Sequence, residues 1–243
     1  MASPTIPAPP WLPAPKARRQ RSPLTLEGIV TEALRIVDAE GIDAVTMRRI
    51  ASALGTGPAS LYSYVSGKDE VLRLAHDRVL DQIDLPDLAE LSWADAIRAW
   101  AHATYDAYRR HNDIARLSFA DIPTGPRTLA LFEALLRALL DGGIPPQVAA
   151  WSVDRLALFV AADAYEGWVF GQRFQGHDAA AQRRAAGWFD EVHAYFCALP
   201  RESFPTIVEH ADVLFAGDGE ARFGFGLEMF VAGLATTVTK RRR

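Results

Sequence analysis

The sequence predicts an all-α protein, a short N-terminal helical unit followed by a larger helical domain. Three observations carry this expectation. Apolar residues recur at i, i+3, i+4 and i+7 in segment after segment. The segments are punctuated by Gly, Pro and capping Ser, Thr or Asp, and no alternating strand or hairpin signal lies between them. The 243 residues, 49% hydrophobic and 23% charged, are enough for a real core and exclude wholesale disorder.

Residues 1–22 carry six prolines before residue 16 and then Lys16, Arg18, Arg19 and Arg21. Such a stretch cannot hold a helix and reads as a disordered Pro-rich, basic arm, either lying along phosphates or serving only as a solubilising tail. Residues 23–72 form the first folded unit. Thr25 caps a helix with Ile29, Ala33, Ile36 and Val37 on one face and Gly41 past its end. Thr46 caps a second helix of about two turns through Met47, Ile50, Ala51 and Leu54. Pro58 suits the first turn of a short third helix with Leu61 and Val65 inward, and a fourth begins at Gly67-Lys68-Asp69.

Residues 73–243 form the larger domain, with helices expected from Ser92 to His111, Asp113 to Ala120 and Pro126 to Asp141, then from Pro145-Pro146 to about Phe174. Asp178 to Leu199, Phe204 to Phe215 and Glu220 to Lys240 complete the chain.

Two short helices joined by Gly55-Thr56-Gly57 and stacked on a preceding helix have helix-turn-helix spacing. On the second of them Ser60, Tyr62, Ser63 and Tyr64 alternate with the apolar anchors and point outward. Small side chains let a helix enter a major groove, and phenolic hydroxyls can reach phosphates. Thr46 places the free N–H groups of its helix against a phosphate, with Arg48 and Arg49 on the same exposed turn. The net charge of -4 argues weakly for nucleic acid, but residues 16–73 hold nine basic against seven acidic groups, leaving 17 against 23 elsewhere.

Leu26 to Leu72, above all T-M-R-R-I-A-x-x-L-G-x-x-P-x-x-L-Y-x-Y-V-x-x-K-D-E-V-L at 46–72, resembles the DNA-binding domain of the tetracycline-repressor (TetR) family. The resemblance implies that Thr46 and Arg48 contact backbone or bases. It makes Thr56, Gly57, Pro58, Ala59 and Ser60 the groove-facing start of the recognition helix, Tyr62 and Tyr64 phosphate contacts, and Lys68 a phosphate anchor. Gly57 stands where a capping Ser is frequent in the family, Ser63 where a larger aromatic is common, Tyr64 where His is frequent, and Val65 where Phe is frequent. These departures bear on base specificity, not on the fold.

The stretches L-F-E-A-L-L-R-A-L-L-D-G-G-I-P-P at 131–146 and F-G-F-G-L-E-M-F at 223–230 resemble, more diffusely, the regulatory domain of the tetracycline-repressor branch. That implies a homodimer in which the long and the final helix form a four-helix bundle. Phe223, Leu227, Phe230 and Leu234 make an apolar stripe, Gly226 and Gly233 allow close approach, and Ala161, Ala164 and Trp168 lie on the long helix. The alternative, that both helices are internal core of a monomer, is disfavoured because a single helix-turn-helix module usually binds too weakly alone, and dimers solve this by reading two half-sites. The resemblance also implies a small-molecule effector pocket. Rings and polar groups within apolar helices make Trp100, His102, Tyr105, Arg109, Phe132, Arg155, Phe159, Asp163 and Glu166 the candidates, with Asp163 and Glu166 alternatively pairing across a dimer.

The expected function is therefore a sequence-specific transcriptional regulator, a homodimeric repressor released from a palindromic double-stranded operator by a small-molecule effector. Two rivals are an all-α small-molecule-binding protein or enzyme with a non-functional helix-turn-helix, and a ligand-independent architectural DNA-binding protein. No catalytic, metal or cofactor site is expected: the six histidines lack metal spacing, and neither a nucleophile elbow nor a phosphate-cradling loop occurs. Cys197, the single cysteine, reads as a buried, inert thiol. No 18-residue apolar run and no leader-like order of charge and apolar residues occur, so a cytoplasmic protein without a membrane partner is expected.

Overall fold

The computed structural model describes residues 23–119, 124–174 and 178–238. The expected arm at 1–22 and residues 239–240 of the helix expected over 220–240 lie outside them, and that helix ends at Ala235. Among the described residues the regular structure is helical, with no strand.

The first unit comprises α1 (Leu26–Glu40), α2 (Met47–Ala53), α3 (Pro58–Leu61) and the start of α4 (Lys68–Asp81). Thr25 caps α1, its hydroxyl accepting from Gly28 N at 3.0 Å, and Thr46 caps α2 by accepting from Arg49 N at 3.1 Å. Ile29, Ile36, Val37, Ile50, Leu61 and Val71 are fully enclosed in one core. At about 1.5–3 kcal/mol for each large side chain, that burial holds helices too short to persist alone. The turn between α2 and α3 depends on Gly55 at φ +65, a left-handed conformation that side chains resist.

The boundary expected between residues 72 and 73 falls inside α4, so a continuous helix rather than a linker joins the two units. Ser66 and Glu70 brace its start: the Ser66 backbone N–H and hydroxyl both donate to the Glu70 carboxylate, at 2.6 and 2.7 Å, which holds that carboxyl below its usual range.

The body consists of α5 (Trp93–Arg109), α6 (Pro126–Asp141), α7 (Pro146–Arg173), α8 (Ala179–Cys197), α9 (Pro205–Glu209), α10 (Ala211–Leu214) and α11 (Gly219–Ala235). Short 3-10 turns cover Ile42–Ala44, Leu88–Glu90 and Ile114–Ser118. The last replaces the α-helix expected over 113–120. The single helix expected over 204–215 is broken at His210 into α9 and α10. Helices α5 and α7 pack along each other at the centre, α4 and α6 close one side, α11 lies on the other, and α8 packs on α9 and α10. Cys197 is exposed rather than buried, its sulfur 3.6 Å from His193 Nε2, because the end of α8 lies at the surface.

Candidate DNA-binding and effector sites

Leu61 and Val65 plug α3 and the turn after it into the core, which turns Gly57, Pro58, Ala59, Ser60, Tyr62 and Ser63 to solvent on one continuous face. Thr56 is half-buried beneath that face. Thr46 and Arg48 are exposed beside it, and Lys68 lies at the first turn of α4. Gly57 starts α3 without any side-chain cap, so the N–H groups of α3 gain no side-chain acceptor there.

The two arginines of α2 differ. Arg49 is engaged by Glu40, its Nη1 donating to Oε2 at 2.8 Å, and this contact holds the Glu40 carboxyl below its usual range. Arg48 makes no ion pair among the described residues. The Tyr64 hydroxyl, expected at a phosphate, donates here to the Leu24 carbonyl at 2.9 Å, tying down the segment that leads into α1, while its ring stays partly exposed. Tyr62, with its ring mostly exposed, is the phenol that faces outward.

A cavity of about 520 Å³ lies between α4, α5, α6, α7 and the 114–118 turn. Three of the nine expected pocket residues line it: Trp100, Phe132 and Arg155. The remainder of its wall includes Arg73, His76 and Leu80 of α4, Tyr108, Leu117, Ser118, Thr128 and Val153. Tyr108 OH lies 2.7 Å from Ser118 Oγ, and His76 Nε2 lies 2.9 Å from the same hydroxyl and 3.1 Å from Ser118 Oγ. Burial pushes the Tyr108 phenol up to about 12, so it stays protonated and able to donate. The Trp100 indole N–H is buried and has no hydrogen-bond partner among the described residues. Sequence reasoning passed over His76, yet the signal was present: it occupies the Leu72, His76, Leu80 row of α4, where a polar ring interrupts an apolar stripe.

The other candidates belong elsewhere. Tyr105 and Phe159 stack on Phe223 at 4.0 and 5.4 Å between ring centres, and His102 meets Phe223 edge-on at 5.3 Å. The Arg109 guanidinium lies over the Tyr105 ring at 5.3 Å. This column of rings joins α5, α7 and α11, and His102, Tyr105, Arg109 and Phe159 are not among the residues that line the cavity. Asp163 and Glu166 do not line the cavity either. Asp163 is half-buried, and burial first and the Glu166 charge second hold its carboxyl above the usual range.

The expected dimer face also needs correction. Ala161, Ala164, Phe223, Leu227 and Leu234 are buried within the single chain. A Cβ on Gly226 would sit 2.8 Å from the Phe159 ring, so that glycine serves close approach inside the protomer. Phe230 is half-buried against the core, and Trp168 stacks on Tyr165 at 5.5 Å. Of the expected residues on α11, Gly233 alone is exposed, with open space around it. The outward stripe of α11 is Phe225 at 70% exposure and Met229 at 61%, continuing through Ala232 and Thr236; on α7, Trp151, Ala162 and Val169 are exposed. A helix apolar on both sides gives no periodic signal to say which side faces inward.

A helix-turn-helix carried at one end of an all-helical body, with a cavity walled by the helix that leaves it, defines a ligand-responsive DNA-binding regulator. Residues 29–75 match the family of bacterial regulatory proteins described as tetR, and residues 85–238 match the tetracyclin repressor-like C-terminal domain. The chain belongs to the TetR family of bacterial regulatory proteins, DNA-binding transcriptional regulators that dimerise, bind operator DNA and respond to small-molecule effectors.

It is 32% identical over 232 residues to the HTH-type transcriptional repressor DrrR1 of Streptomyces coeruleorubidus, covering 93% of this chain and 83% of that protein. It is 25% identical to the tetracycline repressor protein class D of Escherichia coli, covering 89% and 91%. The crystal structure of Streptomyces coelicolor ActR in complex with actinorhodin superposes with a TM-score of 0.79 at 35% identity, covering 90% of this chain and all of that one. Among the described residues no helix is long and apolar enough to cross a membrane.

Proposed function

We propose that this repressor grips a near-palindromic operator through Arg48, Ser60, Tyr62 and Lys68 of each protomer and lets go when a ring-bearing, oxygenated effector fills the 520 Å³ cavity. The carrying observation is that α4 supplies both the first residue beyond the helix-turn-helix, Lys68, and three cavity-wall residues, Arg73, His76 and Leu80. A molecule pressing on that wall acts on the rod that positions the recognition helix. Binding the DNA-incompetent arrangement more tightly by about 1–3 kcal/mol is the usual scale of such coupling.

The lining favours a flat effector. Trp100, Tyr108 and Phe132 offer ring surface, the Tyr108 and Ser118 hydroxyls offer polar contacts to a carbonyl or carboxylate oxygen, and Arg73 and Arg155 offer cations. The protein acts by binding alone, in the cytoplasm, and returns its ligand unchanged. Dimerisation uses the outward Phe225 and Met229 of α11 together with the exposed residues of α7.

The test is selection of bound sequences from random duplexes at about 150 mM salt, followed by competition with candidate effectors, actinorhodin first. Enrichment of a split palindrome that a ring-bearing acid displaces supports the reading. Unselective, salt-sensitive binding points to an architectural protein, and turnover of a bound compound points to an enzyme.

A further inference from the structure

A second cavity, a groove of about 590 Å³, lies between α6 and residues 87–93, apart from the effector cavity. Its walls are apolar: Leu88, Leu91 and Trp93 line one and Ala130 and Ala134 the other. The Trp93 ring closes against the Gly142 backbone with no room for a side chain there, which fixes the indole in the wall. The rim is acidic. Asp87, Glu133 and Asp141 border the groove, and Arg137 beside them is paired with Glu133 at 2.7 Å.

The acidity continues from the groove back to α4. Asp81, Asp84, Asp87 and Glu90 recur at every third residue, all are exposed, and none has an ion-pair partner among the described residues. Arg127, which reaches this stretch, is engaged by the carbonyls of Leu80 and Ile83. Four like charges so close in sequence repel one another and favour a run of cations laid along them.

The chain carries a segment of matching chemistry in matching order. Read back from Pro23, it gives Arg21, Arg19, Arg18 and Lys16, then Trp11 set among Pro9, Pro10, Pro13 and Pro15. The body gives the acidic stretch first and the apolar groove with Trp93 next. The root of the segment lies at the near end of that path: Glu27, in the first turn of α1, is 3.3 Å from Arg78 on α4, and Asp81 follows Arg78 by three positions. Lys16 to Arg21 and Asp81 to Asp87 are comparable lengths of chain, at most about 18 and 21 Å, so the two sets of charges match in reach. Beyond Lys16, a proline-rich stretch is already extended and loses little entropy on lying in an aromatic-walled groove. Single exposed ion pairs are weak, but tethering makes their formation intramolecular, at an effective concentration in the millimolar range.

We propose that this groove seats the chain's own N-terminal segment, with Lys16, Arg18, Arg19 and Arg21 along 81–90 and the proline-flanked Trp11 against Trp93. The body then offers carboxylates to the same cations that would meet phosphates on DNA. Leu24 is held by Tyr64 at the edge of the DNA-binding face and Glu27 by Arg78 on α4, so the segment leaves the fold between the two surfaces. A duplex gains these cations only by displacing the segment from its seat. That last step rests on the operator-binding reading; the docking does not.

Lys16 supplies the probe, because the other lysines of the chain are Lys68 and Lys240. A water-soluble carbodiimide, which joins amines to carboxylates in contact, is applied to the full-length protein at low salt, and the linked peptides are identified by mass spectrometry. The expected product is an amide between Lys16 and Asp81, Asp84 or Asp87 of the same chain. Hydrogen exchange of 86–93 and 130–138 should quicken by about 3-fold in Arg18→Glu with Arg19→Glu, and should return when Asp81→Arg and Asp84→Arg are added, since the swap restores the attraction.

Exchange that ignores the reversal and the swap overturns the docking, as does Lys16 joined chiefly to Asp69 or Glu70 of the DNA-binding unit. Links formed only between chains assign the groove to a second copy's segment and overturn the intramolecular seat. The selected duplex should abolish the Lys16 link, and a link that persists on bound duplex overturns the competition with DNA. If no duplex is retained, the operator reading fails, while the link in the free protein still decides the docking.

Discussion

Asp77 and Arg127 terminate each other's helices. The Asp77 carboxylate, on α4, accepts from the backbone N–H of Thr128 at 3.0 Å and of Arg127 at 3.3 Å, together with the Thr128 hydroxyl at 2.9 Å, and so caps the N-terminus of α6. Arg127, on α6, donates back to the carbonyls of Leu80 at 3.3 Å and Ile83 at 2.9 Å at the end of α4. Gly125 closes against the Asp77 carboxylate with no room for a side chain.

Asp77→Ala removes the cap of α6 and leaves its first N–H groups without an acceptor. The expected cost is about 1–2 kcal/mol, a fall of a few degrees in melting temperature for a chain of this size. Gly125→Ala is expected to act in the same direction, because its methyl displaces the carboxylate. An unchanged melting curve for Asp77→Ala removes the clasp from the stabilising contacts.

The two faces of α11 make opposite predictions. Phe223→Ala empties a fully enclosed site stacked on Tyr105 and Phe159, and is expected to cost about 3–5 kcal/mol of folding stability. Phe225→Glu with Met229→Glu leaves the fold of each protomer intact but places charges on the outward stripe, and sedimentation should then report monomers. A dimer that survives the double substitution locates the interface elsewhere.

Charge at the operator face separates neighbouring residues. Lys68→Ala and Arg48→Ala should each weaken binding to all duplexes and reduce the log-log salt slope by about one unit per protomer. Arg49→Ala should leave the slope nearly unchanged, because its guanidinium is already engaged by Glu40. Salt titration of the selected duplex distinguishes them, and equal slopes for all three contradict the assignment.

Asp163 carries a pH dependence. Its folded-state pKa lies above the unfolded value, through burial first and Glu166 second, so the folded state holds the proton longer. Its contribution is most favourable below the ordinary carboxylate pKa and declines as pH rises through that value towards the folded one. Asp163→Asn should therefore raise stability at pH 7 by about 0.5 kcal/mol, allowing for solvent screening of a half-exposed group. The gain should shrink towards about pH 4. A gain that is constant with pH, measured by denaturant melts, argues for packing instead of charge.

Local rules made much of this legible. Thr25, Thr46, Ser92, Asp178 and Pro126 start helices where capping chemistry places them, and the 46–72 motif locates the DNA-binding unit. What the pattern could not supply was which of two apolar faces turns inward. Phe223 and Phe225 lie two residues apart on α11, nearly opposite around a helix that is apolar on both sides, and the ring stack with Tyr105 and Phe159 settles which one is buried. The cavity lining is hidden for a related reason: Trp100 and Tyr105 are both buried rings of α5, and whether such a ring meets empty space or Phe223 depends on partners far along the chain.

The sequence by itself determined the helices, their caps and the helix-turn-helix, because those follow from period, capping and turn chemistry within a few residues. The tertiary structure alone decided the cavity wall, the outward face of α11 and the contact of Asp113 with the turn after α1. Each depends on contacts between residues remote in sequence, such as Asp113 with Ile42 and Asp77 with Thr128, and no local pattern encodes which distant partner a side chain will meet.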